Sequence, residues 1–255
     1  LVFSSVLNII LDLVLILVFD MGVAGAAWAT VISQAVSGIA CLLYIKFRFE
    51  ILKISKEEWR LDRGCVGILC NMGIPMGLQY SITAIGSVIL QTAVNGIGSM
   101  AVAAVAAGSK ISMFFCCPFD AMGSTMATYA GQNVGAGKLE RVSKGIKSTS
   151  LLGLGYSVIA AIILGFFGGS ISLLFVDAGE TEIIRHVTWF LWANVAFYFP
   201  LALVNIVRFT IQGLGFSKFA ILAGVAEMAA RCLVALAFVP VLGYQAVCFA
   251  NPAAW

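Results

Sequence analysis

The residue that most clearly offers chemistry is Asp12, a carboxylate in the middle of an apolar run near the start of the chain. Asn8 precedes it by one helical turn, and no basic residue lies close to it in sequence. An unpaired carboxylate in apolar surroundings can bind and release a proton, and with amide and hydroxyl oxygens it can hold a hard cation such as Na+. Thr30 offers such a hydroxyl, because a hairpin turning at Gly22 brings it back to a similar depth. These three polar residues are a candidate site for H+ or Na+, and a packing or helix-capping aspartate is the alternative.

Five other ionisable side chains lie inside apolar stretches, where a charge is costly unless it meets a partner or water. Glu227 and Arg231 are four residues apart with the acid first, which predicts a structural ion pair on one helix face. Lys110 and Asp120 share another stretch, but they are about 15 Å apart along a helix, so each needs another partner or a water-filled cavity. Arg208 is near a predicted helix end, from which its guanidinium can reach the membrane surface.

Uncharged polar side chains also occur within the apolar stretches, in two groups. The first group is spaced by four residues, which places it on one helix face: Gln79, Thr83, Ser87, Gln91 and Asn95. The second group contains Asn194, Tyr198 and Asn205. A solute pathway and hydrogen bonding between helices both explain such groups. The candidates for lining a substrate cavity are Gln79, Thr83, Gln91, Lys110, Asp120, Asn194, Tyr198 and Asn205.

The chain that carries these residues has 255 positions and is 61% hydrophobic and 11% charged. A soluble domain carries about 25% charged residues, so the composition excludes a soluble globular protein, a disordered tail and a disulfide-stapled secreted module. The net charge of +3 comes mostly from connectors and offers no basic surface for a nucleic acid. The seven cysteines lack the spacing of a zinc site, and no arrangement of Ser, His, Cys or carboxylates indicates an enzyme.

Apolar runs of about 20 residues, the length of a helix that crosses a bilayer, occur throughout the chain. The predicted spans are residues 1–19, 22–45, 69–95, 101–129, 148–175, 187–212 and 218–240, with an eighth that begins near residue 244. No segment shows the alternation of a membrane β-barrel strand, so the predicted fold class is an all-α integral membrane protein. Because the chain starts and stops inside apolar runs, we interpret it as a fragment.

The connectors between these spans differ in charge, and the difference predicts their orientation. Segment 46–68, segment 130–147 and the turn at Lys218 hold 11 of the 15 basic residues. By the positive-inside rule these connectors are cytoplasmic, and the first span runs outward. Segment 46–68 is also the longest connector, which indicates a linker between two bundles. An alignment that places Gly22 on Gly243 indicates two related halves, a known transporter design.

Four motifs stand out along the chain: NIILDLVLI at 8–16, GVAGAAWATVISQ at 22–34, IPMGLQYSI at 74–82 and GQNVGAGK at 131–138. They resemble motifs of the multidrug and toxic compound extrusion (MATE) transporters. The resemblance implies a two-lobed bundle of twelve helices, of which this chain holds helices five to twelve, the last cut short. Residues 1–45 would then be the last two helices of the amino-terminal lobe, 46–68 the cytoplasmic lobe linker and 69–255 the carboxy-terminal lobe.

The resemblance also implies site residues and an activity. Asp12, Asn8 and Thr30 match an amino-lobe cation site, while Thr83 stands where another MATE subgroup has a glutamate. The implied protein is a monomer among the lipids of the bacterial inner membrane. It exports amphipathic, often cationic organic compounds in exchange for H+ or Na+ and uses no other cofactor.

Two other functions stay open. A flippase for lipid-linked oligosaccharides, from the same superfamily, would bind phosphates with basic side chains, for which Lys110, Arg208 and Arg231 are the candidates. A seven-helix receptor is the other alternative, although the two related halves and the long linker favour a transporter.

Overall fold

The structure of the chain, a computed structural model, describes residues 2–49 and 61–255, without the side chain of residue 220. Helices make up most of these ranges and no strand occurs within them, which confirms the prediction of an all-α fold. The chain divides into two compact units, Leu1–Asp62 and Arg63–Trp255.

The first unit is a hairpin of two helices. Its elements are α1 (Val2–Leu13), a π-helical continuation (Val14–Val18) and α2 (Gly22–Arg48). The turn between them needs left-handed backbone at Asp20 (φ 51°) and Gly22 (φ 52°), which aspartate and glycine adopt more readily than most residues. A Cβ at Gly25 would lie 3.1 Å from backbone atoms of Leu15, so the missing side chain lets the hairpin close.

The second unit is a bundle of longer helices. Its elements are α3 (Arg63–Ile97), α4 (Ser99–Gly135), α5 (Leu139–Ser172), α6 (Thr181–Val195), α7 (Tyr198–Gly213), α8 (Lys218–Leu233), a π-helical segment (Val234–Phe238), α9 (Val239–Leu242), α10 (Tyr244–Cys248) and α11 (Ala250–Ala254). α3 and α4 continue through Pro75 and Pro118 respectively.

Five of the described helices are long and apolar enough to cross a bilayer. They are α2, α3, α4, α5 and the composite helix Ile221–Leu242. α6 and α7 make a sixth span if they are taken together, while the first apolar helix, Val2–Val18, is shorter. Because helices of this kind satisfy all their backbone hydrogen bonds inside lipid, the chain is a multi-pass membrane protein.

The predicted sixth span, 187–212, is broken in the structure. α6 and α7 meet at an angle of 51°, and the break lies just before Tyr198. Pro200 explains its position, since a proline cannot donate to the carbonyl group four residues earlier, here Ala196, and its ring clashes with that group. The predicted eighth span also differs, because α10 and α11 are two short helices interrupted at Phe249.

The predicted linker, 46–68, overlaps the neighbouring helices at both ends. α2 continues to Arg48, and α3 already begins at Arg63. Residues 50–60, the middle of this segment, lie outside the described residues.

Small residues set the helix spacing in the second unit. A Cβ at Gly213 on α7 would overlap the carbonyl oxygen of Ala127 on α4. Similarly, a Cβ at Gly224 on α8 would lie 3.0 Å from the side chain of Gln79 on α3. Helices in lipid associate through such close packing, because lipid tails remove the hydrophobic drive that operates in water. These contacts hold α4 beside α7 and α3 beside α8.

The two segments aligned on Gly22 and Gly243 share an unusual backbone sequence. In the first unit the π-helical segment Val14–Val18 precedes Gly22, whose φ is 52°. In the second unit the π-helical segment Val234–Phe238 precedes Gly243, whose φ is 59°. π-Helical turns are rare and occur mostly as single insertions in longer helices, so their recurrence at matching places supports a common origin of the two segments.

Candidate functional site

Asp12 and Asn8 lie one turn apart on the same face of α1, and both are half-buried within the first unit. Oδ1 of Asp12 and Nδ2 of Asn8 are shielded from solvent and have no hydrogen-bond partner in the described part of the chain. A buried polar atom left unpaired costs about 1–3 kcal/mol, and more when the group is charged. A proton on the carboxyl group, or a cation beside its oxygen, would remove this cost at Asp12.

Thr30 is placed on the neighbouring helix but does not join these two residues. Its side chain is exposed, and its hydroxyl donates a hydrogen bond to a carbonyl oxygen of its own helix at 3.0 Å. Oγ of Ser4 donates to the carbonyl oxygen of Ser33 at 3.5 Å, and this antiparallel register puts Thr30 at the level of Asn8. Among the described residues, Thr30 forms no hydrogen bond with Asp12.

Four side chains in the second unit form a continuous polar chain across three helices. Nδ2 of Asn205 on α7 donates to Oδ1 of Asp120 on α4 at 3.0 Å. Arg208 donates from Nη2 to Oδ1 of Asn205 and from Nη1 to Oε1 of Glu227 on α8, both at 2.7 Å. We refer to Asp120, Asn205, Arg208 and Glu227 as the polar chain.

The inner end of the polar chain is well shielded from solvent. The side chains of Arg208 and Glu227 are 16% and 12% exposed, and Asn205 is 3% exposed. Dissolved salt screens a pair in such a setting much less than it screens a surface pair. Asp120, at the outer end, is exposed.

The predicted ion pair between Glu227 and Arg231 is not self-contained. Nη1 of Arg231 is 3.9 Å from Oε2 of Glu227, whereas Arg208 approaches the other oxygen to 2.7 Å. Thr83 on α3 donates its hydroxyl to Oε2 of Glu227 at 3.3 Å, and Arg231 donates to the carbonyl oxygen of Thr83 at 3.4 Å. Glu227 therefore holds α3, α7 and α8 together.

Arg208 and Gln212 take part in contacts between helices that the sequence did not predict. The prediction that Arg208 extends to the membrane surface is wrong, because its guanidinium binds two side chains inside the bundle. Nε2 of Gln212 donates to Oε1 of Gln79 at 2.9 Å, and both side chains are buried. The spacing of Asn205, Arg208 and Gln212, three and then four residues, places them on one helix face and was a signal for this arrangement.

The polar face predicted on α3 is divided between interior and surface. Gln79 and Thr83 point into the contact with α7 and α8, while Gln91 is exposed and donates to Asn95 on its own helix at 3.0 Å. The first two residues therefore join helices, and Gln91 faces outward.

Asn194 and Tyr198 lie in the core of the second unit and do not line an open cavity. Each is 0% exposed, and Nδ2 of Asn194 donates to the carbonyl oxygen of Phe190 at 2.7 Å. The ring of Tyr198 packs edge-on against Phe119 with 5.5 Å between centroids. Lys110 differs from both, because it is exposed and its amino group lies 5.9 Å from the ring centroid of Phe175.

Among the cavities of the second unit, two bear on the predicted site. One, of about 1070 Å³, has several aromatic side chains in its wall, including Trp189, Trp192 and Tyr244, and none of the predicted cavity residues lines it. The other, of about 390 Å³, lies between α7 and α8, with Arg208 as its charged member. In the wall of this cavity Arg208, a member of the polar chain, lies beside apolar side chains that include Val207.

Comparisons with known proteins point to one family. The MatE family model matches residues 75–237. A relative named "Probable multidrug resistance protein YpnP", from Bacillus subtilis, is 28% identical over 209 residues, which cover 80% of this chain and 45% of the relative. A "Multidrug export protein MepA" from Staphylococcus saprophyticus is 30% identical over 44% of the chain and 25% of its own length. An "FAD transporter" from Shewanella oneidensis is 25% identical over 80% of the chain and 45% of its own length.

Solved structures show the same fold. The chain matches "Crystal structure of MATE in complex with MaL6" with a TM-score of 0.91 at 19% identity, covering 99% of this chain and 58% of that one. It matches an outward-facing multidrug resistance MATE family transporter of the MOP superfamily with a TM-score of 0.88 at 20% identity, over 99% and 58% of the two chains. The chain spans about half the length of the curated relatives it matches.

Proposed function

This chain belongs to the MatE family, and we propose that the complete gene product is a secondary exporter of amphipathic, often cationic organic compounds. It exchanges them for H+ or Na+ moving in the opposite direction. The membrane is the bacterial inner membrane, since the relatives that support this assignment come from bacteria. We infer a monomer that requires no cofactor beyond the coupling ion.

The observation that carries this proposal is the unsatisfied pair at Asp12 and Asn8. A carboxylate oxygen shielded from solvent without a partner is unfavourable in an apolar helix, and a bound proton or metal cation relieves that state. The site is therefore suited to alternate between loaded and unloaded forms. Thr30 would have to turn its hydroxyl from its own helix to contribute an oxygen ligand.

Exchange follows when the two ligands prefer different conformations. A ligand shifts a conformational equilibrium only by the difference in its affinity for the two states. The cation loads at Asp12 when the transporter faces outward and favours the state that releases the organic compound. The organic compound favours the opposite state, so binding of each ligand favours the conformation that releases the other.

The substrate binds among the polar groups of the second unit that reach its surface. Gln91, Lys110 and Asp120 are exposed, whereas Asn194 and Tyr198 are buried in the core and act through packing. The set of candidate substrate-binding residues is therefore smaller than the eight residues named from the sequence.

An anionic substrate has one observation in its favour, the similarity to an FAD transporter. A flippase or a transporter of phosphate-bearing compounds needs basic side chains free to bind phosphate. Arg208 and Arg231 are both held by Glu227, which leaves Lys110 as the exposed cation among the three candidates. The geometry therefore favours the cationic substrate.

The test uses everted membrane vesicles that contain the complete gene product. We would follow uptake of ethidium, a permanent organic cation, under an imposed H+ or Na+ gradient. Asp12→Asn is expected to abolish gradient-driven uptake, because a neutral amide cannot exchange a proton or balance the charge of Na+. Asp20→Asn is the matched control, since Asp20 is exposed and asparagine also adopts its left-handed backbone.

The results separate the possible roles of Asp12. Loss of uptake in Asp12→Asn but not in Asp20→Asn supports coupling at Asp12, and the gradient that drives uptake identifies the ion. Equal uptake in both variants and in the wild type would contradict the role of Asp12. Absence of ethidium uptake by the wild type under both gradients would contradict cation export itself.

A further inference from the structure

Asp120 combines two properties that rarely occur together in a membrane helix. It lies near the middle of α4, which runs from Ser99 to Gly135 and is long enough to span the bilayer, and its side chain is exposed on the surface of the second unit. A carboxylate at that depth is costly in lipid, so it faces water or a polar partner. In the exporter proposed above, this exposed side lines the aqueous space through which the compound moves.

The rest of this helix face agrees with an aqueous surface. Cys117, Ser124 and Thr128 follow the same face at helical spacing and are exposed. The hydroxyl groups of Ser124 and Thr128 donate to carbonyl oxygens of their own helix, so they do not neutralise Asp120. Met113, two turns before Asp120 on this face, is 70% exposed and offers a polarisable apolar contact.

α5 provides the contrast expected for a surface in contact with lipid. From residue 151 to residue 166 its exposed positions include large apolar side chains: Leu151, Leu152, Val158, Ile159, Ile162 and Phe166. The exposed middle of α5 is therefore apolar, whereas the face of α4 around Asp120 also carries polar side chains.

The polar chain orients Asp120 from behind. Because Oδ1 of Asn205 accepts from Arg208, the amide nitrogen of Asn205 must point toward Asp120, where it donates to one carboxylate oxygen. Glu227 in turn holds Arg208 in place at 2.7 Å. Within the described residues Asp120 has no salt bridge, and its second oxygen has no hydrogen-bond partner.

Charge along the polar chain and its neighbours is balanced but unevenly distributed. Two guanidinium groups, Arg208 and Arg231, surround Glu227 in the interior, while the second carboxylate, Asp120, is at the exposed end. The exposed end is consequently the negative one. A positively charged group arriving from the aqueous space would meet a fixed carboxylate oxygen that the protein has left without a partner.

We propose that Asp120 is the residue that contacts the cationic group of the transported compound, with Asn205 and Arg208 as positioning residues. The ligand class is a bulky organic cation with an apolar body. The proposal rests on the export function proposed above and names the contact through which the second unit selects its substrate.

The test compares two probes of similar shape and opposite charge, tetraphenylphosphonium and tetraphenylborate. Their binding to the purified complete gene product is measured by isothermal titration calorimetry without any ion gradient. Asp120→Asn should weaken tetraphenylphosphonium binding about tenfold, the loss expected for a partly exposed charge contact, and should not weaken tetraphenylborate binding. Asp177→Asn, which removes an exposed carboxylate from the α5–α6 connector, is the control and should leave both affinities unchanged.

Two further variants separate contact from positioning. Asp120→Glu keeps the charge and should recover most of the phosphonium affinity. Asn205→Ala should weaken phosphonium binding by a smaller factor and leave borate binding intact, because it frees the carboxylate to rotate but keeps its charge. Loss of both affinities in Asn205→Ala would mean a purely structural role and would overturn the assignment of that residue.

The outcomes are distinct from those of the transport test. Unchanged phosphonium affinity in Asp120→Asn, or no phosphonium binding by the wild type, overturns the contact even if gradient-driven export is observed. Conversely, a wild type that binds phosphonium through Asp120 but moves no dye in vesicles retains the cation contact and loses the export function.

Discussion

Asp12 and Glu227 show how the same kind of group acquires opposite roles from its surroundings. An oxygen of Asp12 is shielded from solvent without a hydrogen-bond partner among the described residues, and this is the basis for proposing it as the cation site. Glu227 is surrounded by Arg208, Arg231 and the hydroxyl of Thr83, so its negative charge is fully matched. We propose that the first carboxyl group binds the coupling cation, whereas the second joins helices.

The matched charge of Glu227 leads to a stability prediction. Glu227→Gln leaves the largely buried guanidinium groups of Arg208 and Arg231 without their counter-charge. It is expected to destabilise the protein by about 3–5 kcal/mol. Glu182→Gln is the control, because Glu182 pairs with Arg185 at 3.6 Å with both side chains more than half exposed. Such a pair contributes at most about 1 kcal/mol.

Equilibrium unfolding by SDS in mixed micelles measures both variants. A destabilisation of Glu227→Gln no larger than that of Glu182→Gln would mean that the interior pair has little energetic weight, and the structural role of Glu227 would have to be abandoned.

At the scale of the elements, close helix packing positions the residues of the polar chain. Asp120 and Asn205 meet because α4 and α7 approach where Gly213 faces Ala127. The bend between α6 and α7 sets the direction in which α7 crosses the bundle, and Pro200 accounts for that bend. A proline and a glycine thus help to place Asn205 beside Asp120.

This packing predicts opposite effects of the same substitution at two glycines. Gly213→Ala puts a Cβ against the carbonyl oxygen of Ala127, so α4 and α7 must separate, with an expected loss of stability of about 1–3 kcal/mol. Gly155→Ala on α5 meets nothing within 4 Å and should be neutral or stabilise by up to about 1 kcal/mol, because alanine favours a helix over glycine.

The same unfolding assay, together with phosphonium binding, distinguishes the two glycines. Weaker binding in Gly213→Ala alone would link helix spacing to the position of Asp120. Equal stability of both variants would show that the α4–α7 contact tolerates a methyl group.

At the scale of the whole molecule, charge in the connectors predicts orientation in the membrane. The connector that follows α4 and the first turns of α5 contain Lys138, Arg141, Lys144 and Lys147. The connector between α5 and α6 contains Asp177 and Glu180 instead. Basic connectors stay on the cytoplasmic side, so the two connectors should lie on opposite sides of the bilayer.

Labelling of introduced cysteines checks this orientation. In a version of the complete gene product without its native cysteines, Gly179→Cys should react with a membrane-impermeant maleimide in intact cells. Ser143→Cys should react only after the cells are opened, since it lies beside the basic cluster. The reverse pattern would mean that the predicted orientation is wrong and that the first span runs inward.

Several features of this protein follow from the sequence alone. Long apolar runs and few charges determine a multi-pass helical membrane protein, because each run must satisfy its own backbone hydrogen bonds in lipid. The motifs at residues 8–16, 22–34, 74–82 and 131–138 indicated the family that the comparisons show. These are local properties of the sequence, and they can be recognised without knowing which segments contact each other in the fold.

The partners of the charged groups are a different matter, because they come from distant parts of the chain. Asn205 and Asp120 are 85 residues apart, and Thr83 and Glu227 are 144 residues apart. Helical spacing showed that Glu227 and Arg231 share a face, but it carried no information that Arg208 on another helix lies closer. Only the packing of α4 against α7 and of α3 against α8 decides which polar groups meet, since partner choice depends on distance in space. The same packing buries Glu227 and leaves Asp120 exposed, which separates the structural carboxylate from the one that can meet a ligand.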